Sequence, residues 1–131
     1  MTGAVGETLA RGGRVHVYSE GSMWEYYRPI RPFKDGTASL ACRFGVPILP
    51  MAFSYRRPGW IRRTVFRQIA LFTLTVGEPL YPDPALPRDE RKEDLTRRCH
   101  EAVCRLAGID PEKDPYPPVY RNDRRRAYDR V

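Results

Sequence analysis

The sequence predicts an α/β fold built on a partial, mostly parallel sheet with flanking helices. Three observations carry that expectation. Val15 and Val17 alternate with His16 and Tyr18, the period of two that β-branched residues show in a strand, which marks residues 15–19. Residues 46–55 are apolar at nearly every position, as in a strand buried on both faces beneath helices. Between them residues 37–44 read as a helix, and a β, helix, β order of this kind gives a parallel pair joined by a right-handed crossover.

In chain order, residues 5–11 form a short helix closed by Gly12 and Gly13, since paired glycines accept the left-handed conformation that ends helices. The first strand delivers Glu20 and Gly21 into a loop over residues 21–34, where Trp24, Tyr26, Tyr27 and Phe33 stand beside Arg28, Arg31 and Lys34 and two prolines forbid regular helix. Asp35 is placed to cap the next helix, its carboxylate accepting from the free first-turn amides, and Gly45 closes that helix. A basic connector over residues 55–67 follows the apolar strand, and residues 69–76 form a third strand stopped by Gly77 and Pro79. Residues 88–107 are the clearest helix, with Leu95, Cys99, Ala102, Val103 and Leu106 on one face. Glu93 with Arg97 and Asp94 with Arg98 sit four apart, in the orientation that yields about 0.2–0.5 kcal/mol per exposed pair. Residues 110–131, rich in proline and arginine, hold too little apolar surface to pack and read as a mobile tail on a single domain over residues 1–109.

With 131 residues and 41% hydrophobic content the chain is one domain long. Its 23 Lys and Arg against 16 Asp and Glu leave a charge of +7, which favours anionic partners: phosphorylated lipids, a bilayer surface or nucleic acid. Cys42, Cys99 and Cys104 are odd in number and lack C-x-x-C spacing, so they signal neither a disulfide framework nor a metal site and suit a reducing cytosol. They read as small buried apolar residues. No apolar run approaches the roughly 20 residues of a transmembrane helix, and the first residues lack the pattern of a secretory signal. The chain is expected to be cytoplasmic, or peripheral on the cytoplasmic membrane face.

Four segments in succession carry a resemblance. Tyr18-Ser19-Glu20-Gly21-Ser22-Met23 is similar to a block written F-P-E-G-T-R-S, with Glu20 and Gly21 matching outright and Ser22 standing for threonine. Pro32-Phe33-Lys34-Asp35-Gly36 is similar to P-F-K-x-G, Val46-Pro47-Ile48-Leu49-Pro50-Met51 to V-P-I-V-P-V, and Val76-Gly77-Glu78-Pro79-Leu80 to I-G-x-P-I. In that order they resemble the C-terminal portion of the PlsC-like glycerolipid acyltransferases, the family of 1-acyl-sn-glycerol-3-phosphate acyltransferases. The resemblance implies the C-terminal half of that fold and transfer of a fatty acyl group from acyl-CoA or acyl-carrier protein to 1-acylglycerol 3-phosphate, in phospholipid biosynthesis, with no cofactor beyond the acyl donor.

Such a reaction needs a base to take the acceptor hydroxyl's proton and a cationic clamp to hold the acceptor's phosphate. The family's base is a His oriented by an Asp in H-x-x-x-x-D. Here Gly21 lies five positions after His16 and Arg105 five after His100, so neither histidine fits and the chain holds no catalytic pair. The expectation is a reading frame truncated at its front and a chain inactive alone. Met23 replaces the arginine that the family places on the phosphate. Arg28, Arg31 and Lys34 are candidates to supply the clamp instead, guanidinium groups offering paired donors to phosphate oxygens. The candidate substrate-binding set is therefore Glu20, Gly21, Ser22, Arg28, Arg31 and Lys34.

Blander readings stand beside these. Glu20 also serves as a turn residue bonding nearby amides, and the three cations as a solvated loop. His16 reads as a strand residue and His100 as a residue on the polar side of a surface helix. Trp24, Tyr26 and Tyr27 either cover the core or line an acyl channel. Trp60, Ile61, Val65 and Phe66, set among Arg56, Arg57, Arg62, Arg63 and Arg67, form either a patch on anionic lipid or a basic connector with a few core anchors. The alternative to the enzyme fragment is a noncatalytic basic module on an anionic lipid surface or on nucleic acid. No recognised nucleic-acid motif supports the latter, and no nucleic acid is expected as partner.

Overall fold

The computed structural model describes residues 2–21, 30–56, 59–65, 71–110 and Glu112. They form, in order, α1 (Thr2–Ala10), α2 (Gly36–Phe44), β1 (Met51–Arg56), α3 (Trp60–Thr64), β2 (Leu71–Val76) and α4 (Arg88–Ala107). The last residues of the expected tail, 113–131, with Arg124, Arg125 and Arg126, lie outside the described residues, as do Phe66, Arg57 and Arg67 of the connector.

The apolar spacing of α4 becomes its packing. Leu95, Cys99, Val103 and Cys104 are buried along one stripe, and Asp89 and Glu90 occupy the first turn, where negative charge suits the helix dipole. Gly108 takes a left-handed conformation (φ 68°) and turns its N–H back to the carbonyls of Arg105 and Cys104, ending the helix. On the outer face Arg98 pairs with Asp94 at 2.7 Å, as the spacing predicts. Arg97 reaches Asp94 at 2.6 Å and Glu101 at 2.9 Å instead of Glu93.

α2 lays Ala38 and Ala41 against Leu95, with Cys42, Ile48 and Leu80 around them. Small residues on α2 let the two helices approach closely, and Leu95 at 0% exposure is the centre of this core. Burial of that one side chain contributes about 1.5–3 kcal/mol. Asp35 precedes α2, but its side chain makes no cap hydrogen bond. With φ −70° and ψ −7° its backbone already lies in the helical region, outside the extended conformation that aims a capping carboxylate at the first-turn amides. Its carbonyl instead accepts from the Ser39 N–H at 2.8 Å.

The sheet departs from the expectation. The chain is a small mixed α/β structure, but its sheet has two strands, β1 and β2, paired antiparallel from Met51 opposite Val76 to Arg56 opposite Leu71. An isolated bridge between Ile48 and Leu80 extends the pairing. The mostly parallel sheet is not found. Residues 13–18 carry the alternation of a strand without being one, and Val15 and Val17 are exposed, because among the described residues no neighbouring strand takes their hydrogen bonds. Among the described residues there is thus no parallel pair and no crossover, and β1 turns back on β2 through a connector that includes α3.

Burial of β1 on both faces is corrected too. Ala52 is 3% exposed on the face turned to α4, while Phe53 beside it points to solvent. Where β2 ends, Gly77 donates its N–H to the Pro50 carbonyl at 2.9 Å. A Cβ on Gly77 would stand 3.0 Å from Leu106 Cδ1 and 3.1 Å from Pro50 Cγ, so the absent side chain lets α4 close over the sheet.

Candidate functional site

Four of the predicted substrate-binding residues, Glu20, Gly21, Arg31 and Lys34, come together at the turn after residues 13–18. The Gly21 N–H donates to the Tyr18 carbonyl at 2.9 Å, closing a turn that puts Gly21 at φ 80°. An L side chain is strained there, and a Cβ would also meet Lys34 Cε and Nζ at 3.0 Å. The lysine stem thus lies directly over Gly21. Glu20 faces Arg31: its Oε2 accepts from the Arg31 backbone N–H at 3.2 Å and lies 3.4 Å from Arg31 Nε. Both side chains are mostly withdrawn from water, which strengthens the pairing relative to a surface ion pair.

Two further bonds hold this turn to the start of α2. The Lys34 N–H donates to the Ser19 carbonyl at 2.9 Å, and the Ser19 and Thr37 hydroxyls lie 2.9 Å apart. Glu20, Gly21, Arg31 and Lys34 therefore sit on one clasp between two separated pieces of chain. No carboxylate among the described residues pairs with the Lys34 ammonium, and the residue is exposed. Ser22 and Arg28, the other two predicted members, lie outside the described residues, as do Met23, Trp24, Tyr26 and Tyr27.

The clasp rests on the C-terminal half of α4, a connection that sequence reasoning missed. Phe33 meets the His100 ring edge-on at 5.0 Å between centroids, and a ring nitrogen of His100 lies 3.8 Å from Cys104 Sγ. His100 was expected on the polar side of a surface helix, yet it is half-buried. Its spacing of four from Cys104, on the same face as the buried stripe, is the signal that places it inward. An open hollow of about 350 Å³ lies beside it, between Pro32, Phe33 and Asp35 on the loop and Glu93, Thr96 and His100 on α4. None of Glu20, Arg31 and Lys34 lines it. His16, exposed, stacks its ring edge-on with Tyr18 at 4.7 Å.

Cys99 and Cys104 are held in the unreactive thiol form. Burial pushes the Cys99 thiol up to about 11. Burial first, then the carboxylates of Glu20 and Glu101, push the Cys104 thiol up as well. Both stay protonated at neutral pH, and the thiolate is the reactive form. All three cysteines are free thiols. Among the described residues no group of three or more His, Cys, Asp and Glu is placed to hold a metal ion. Among them, too, no helix is long and apolar enough to cross a membrane.

Compared with family models, with curated proteins and with solved structures, the chain matches none.

Proposed function

We propose that this chain is the acceptor-binding portion of a glycerolipid acyltransferase, taking a 1-acylglycerol 3-phosphate whose hydroxyl receives a fatty acyl group from acyl-CoA or acyl-carrier protein. The observation that carries the reading is the clasp. The E-G turn and the P-F-K-x-G segment, two pieces of the family-like pattern separated in sequence, are tied together by the Glu20 to Arg31 and Ser19 to Lys34 bonds. Glu20 acts as a positioning residue, fixing the plane of the Arg31 guanidinium through its Nε. Lys34, laid over Gly21, adds a positive charge that no carboxylate among the described residues pairs. Together they form a cationic edge suited to a phosphate monoester, Arg31 as an oriented donor and Lys34 as a point charge. The base that would activate the acceptor hydroxyl is not among the residues of this chain, so binding rather than turnover is the property it carries.

The test is calorimetric titration of the chain with glycerol 3-phosphate and with a short-chain lysophosphatidic acid. Arg31→Ala and Lys34→Ala are each expected to weaken binding by about tenfold or more, the scale of one lost charge-assisted hydrogen bond. Glu20→Gln should weaken it less, by loosening Arg31. Equal affinity for the parent chain and both alanine variants sinks the proposal.

A further inference from the structure

Residues 13–18 have the side-chain geometry of a strand and no neighbour. All are exposed, Val15 at 39% and Val17 at 42%. The His16 and Tyr18 rings meet edge-on at 4.7 Å, the contact that residues two apart make when successive side chains alternate between faces. Arg14, His16 and Tyr18 therefore share one face, and Val15 and Val17 the other. Among the described residues, the backbone N–H and carbonyl groups of Arg14, Val15, His16 and Val17 enter no hydrogen bond. Both ends of the segment are nonetheless tied down. The Gly13 N–H donates to the Thr8 carbonyl at 2.8 Å, while the Ser19 carbonyl accepts from the Lys34 N–H and the Ser19 hydroxyl meets that of Thr37, each at 2.9 Å. An extended segment anchored in this way has much of its ordering already in place, which lowers the entropy lost when a second strand pairs with it.

The two faces say what that second strand carries. Arg14 makes no ion pair, hydrogen bond or ring contact among the described residues, and residues 8–19 contain no Asp or Glu. An acidic side chain opposite Arg14 completes a cross-strand charge pair, and β-branched side chains opposite Val15 and Val17 complete apolar ones. We infer that residues 14–18 are a docking edge for an extended acidic segment of a partner protein, one that alternates carboxylate with β-branched side chains and joins this edge through backbone hydrogen bonds. A second copy of the chain fits less well. It brings no free acid to Arg14, since Glu20, the first acid beyond Tyr18, is held by Arg31, and each copy carries a charge of +7. Nucleic acid would satisfy Arg14 but leave Val15 and Val17 bare. The docking edge does not depend on the reading of the Glu20, Arg31 and Lys34 clasp.

The experiment is fluorescence-polarisation titration of a short dye-labelled peptide of alternating Val and Glu with the 131-residue chain, beside a Val and Lys counterpart. The acidic peptide is expected to bind, more weakly as salt is added, and the basic one not to bind. Hydrogen exchange at the amides of residues 14–18 should slow when the acidic peptide is present. Arg14→Glu, at an exposed position without contacts, should weaken binding by about fivefold or more. His16→Pro and Val17→Pro remove N–H donors from opposite edges of the segment, so a strand seated on one edge should be weakened by about tenfold or more in one of the two variants. Neither N–H is bonded within the chain, so thermal melts of both should match the parent. Peptide binding should survive Arg31→Ala, and glycerol 3-phosphate binding should survive His16→Pro, so the two proposals fail separately. Equal affinity for the two peptides overturns the inference, as does unchanged affinity in both proline variants. So does a concentration-dependent dimer in sedimentation velocity that either proline variant dissolves.

Discussion

α4 and the β1, α3, β2 hairpin hold five arginines each, yet they treat their apolar residues in opposite ways. α4 buries its apolar stripe and answers its basic residues internally: Asp94 takes Arg97 and Arg98, Glu101 takes Arg97, and Asp89 takes Lys92. The hairpin buries only the face that touches α4, shows the other to solvent, and contains no acid at all. A helix that closes its own account of charge and burial is scaffold. A unit that leaves Phe53, Phe72 and Leu74 exposed on its outer face keeps part of its apolar surface in water.

The contrast is broken most strongly at its centre. Leu95→Ala removes the one large side chain that α2, α4 and the bridge of Ile48 with Leu80 all share, and should cost about 2–5 kcal/mol in urea denaturation. Next comes the face of β1 that meets α4: Ala52→Asp should cost roughly 2–3 kcal/mol by burying a carboxyl with no partner. Smaller is Asp94→Asn, about 1 kcal/mol or less, since its arginine partners are partly in water. Burial works to raise the Asp94 pKa, but the hydrogen bonds and charges of Arg98 and then Arg97 outweigh it and hold the carboxyl below its ordinary 3.8. A carboxylate depressed in the folded state stabilises above its ordinary pKa and loses that contribution as the pH falls through the lower folded value. The parent chain should therefore lose stability relative to Asp94→Asn in acid melts below about pH 4, and match its neutral-pH advantage above it. The smallest effect belongs to the outer hairpin face, where Phe72→Ser and Trp60→Ser should each stay within about 0.5 kcal/mol of the parent. A loss there as large as that of Leu95→Ala would mean the face is core, and the contrast would collapse.

What could be read without coordinates follows the same division. α4 was legible to both its ends because Leu95, Cys99 and Val103 repeat at helical spacing and Gly108 is free to take φ 68°. α2 was legible from its glycine close, though Asp35 caps it with backbone rather than side chain. The strands were legible as β-prone segments but not as a sheet. Alternation at Val15 and Val17 records a preference for extended backbone, and pairing needs a neighbour that no local pattern supplies. The apolar run over residues 46–55 looked doubly covered because hydrophobicity was read as burial, when Phe53 and Phe72 keep theirs in the open. At the clasp, Glu20 and Lys34 stand within the family-like segments and Arg31 was legible only as a cation of the loop between them; the bonds that join them were not legible. Nor was the position of His100, because its inward tilt toward Cys104 and Phe33 is set by packing between a loop and a helix far apart in sequence.

The Ser19 to Lys34 and Glu20 to Arg31 bonds have one more implication. They bring Ser19 and Glu20 beside Lys34 and Arg31, so each bond closes a loop between residues well separated in sequence. Closing a loop costs only about 0.6 kcal/mol more each time its length doubles. Lengthening the chain between the bonded pairs by a few glycines and serines should therefore cost only tenths of a kcal/mol in closure entropy, a cost small enough for the Glu20 to Arg31 bond to survive it.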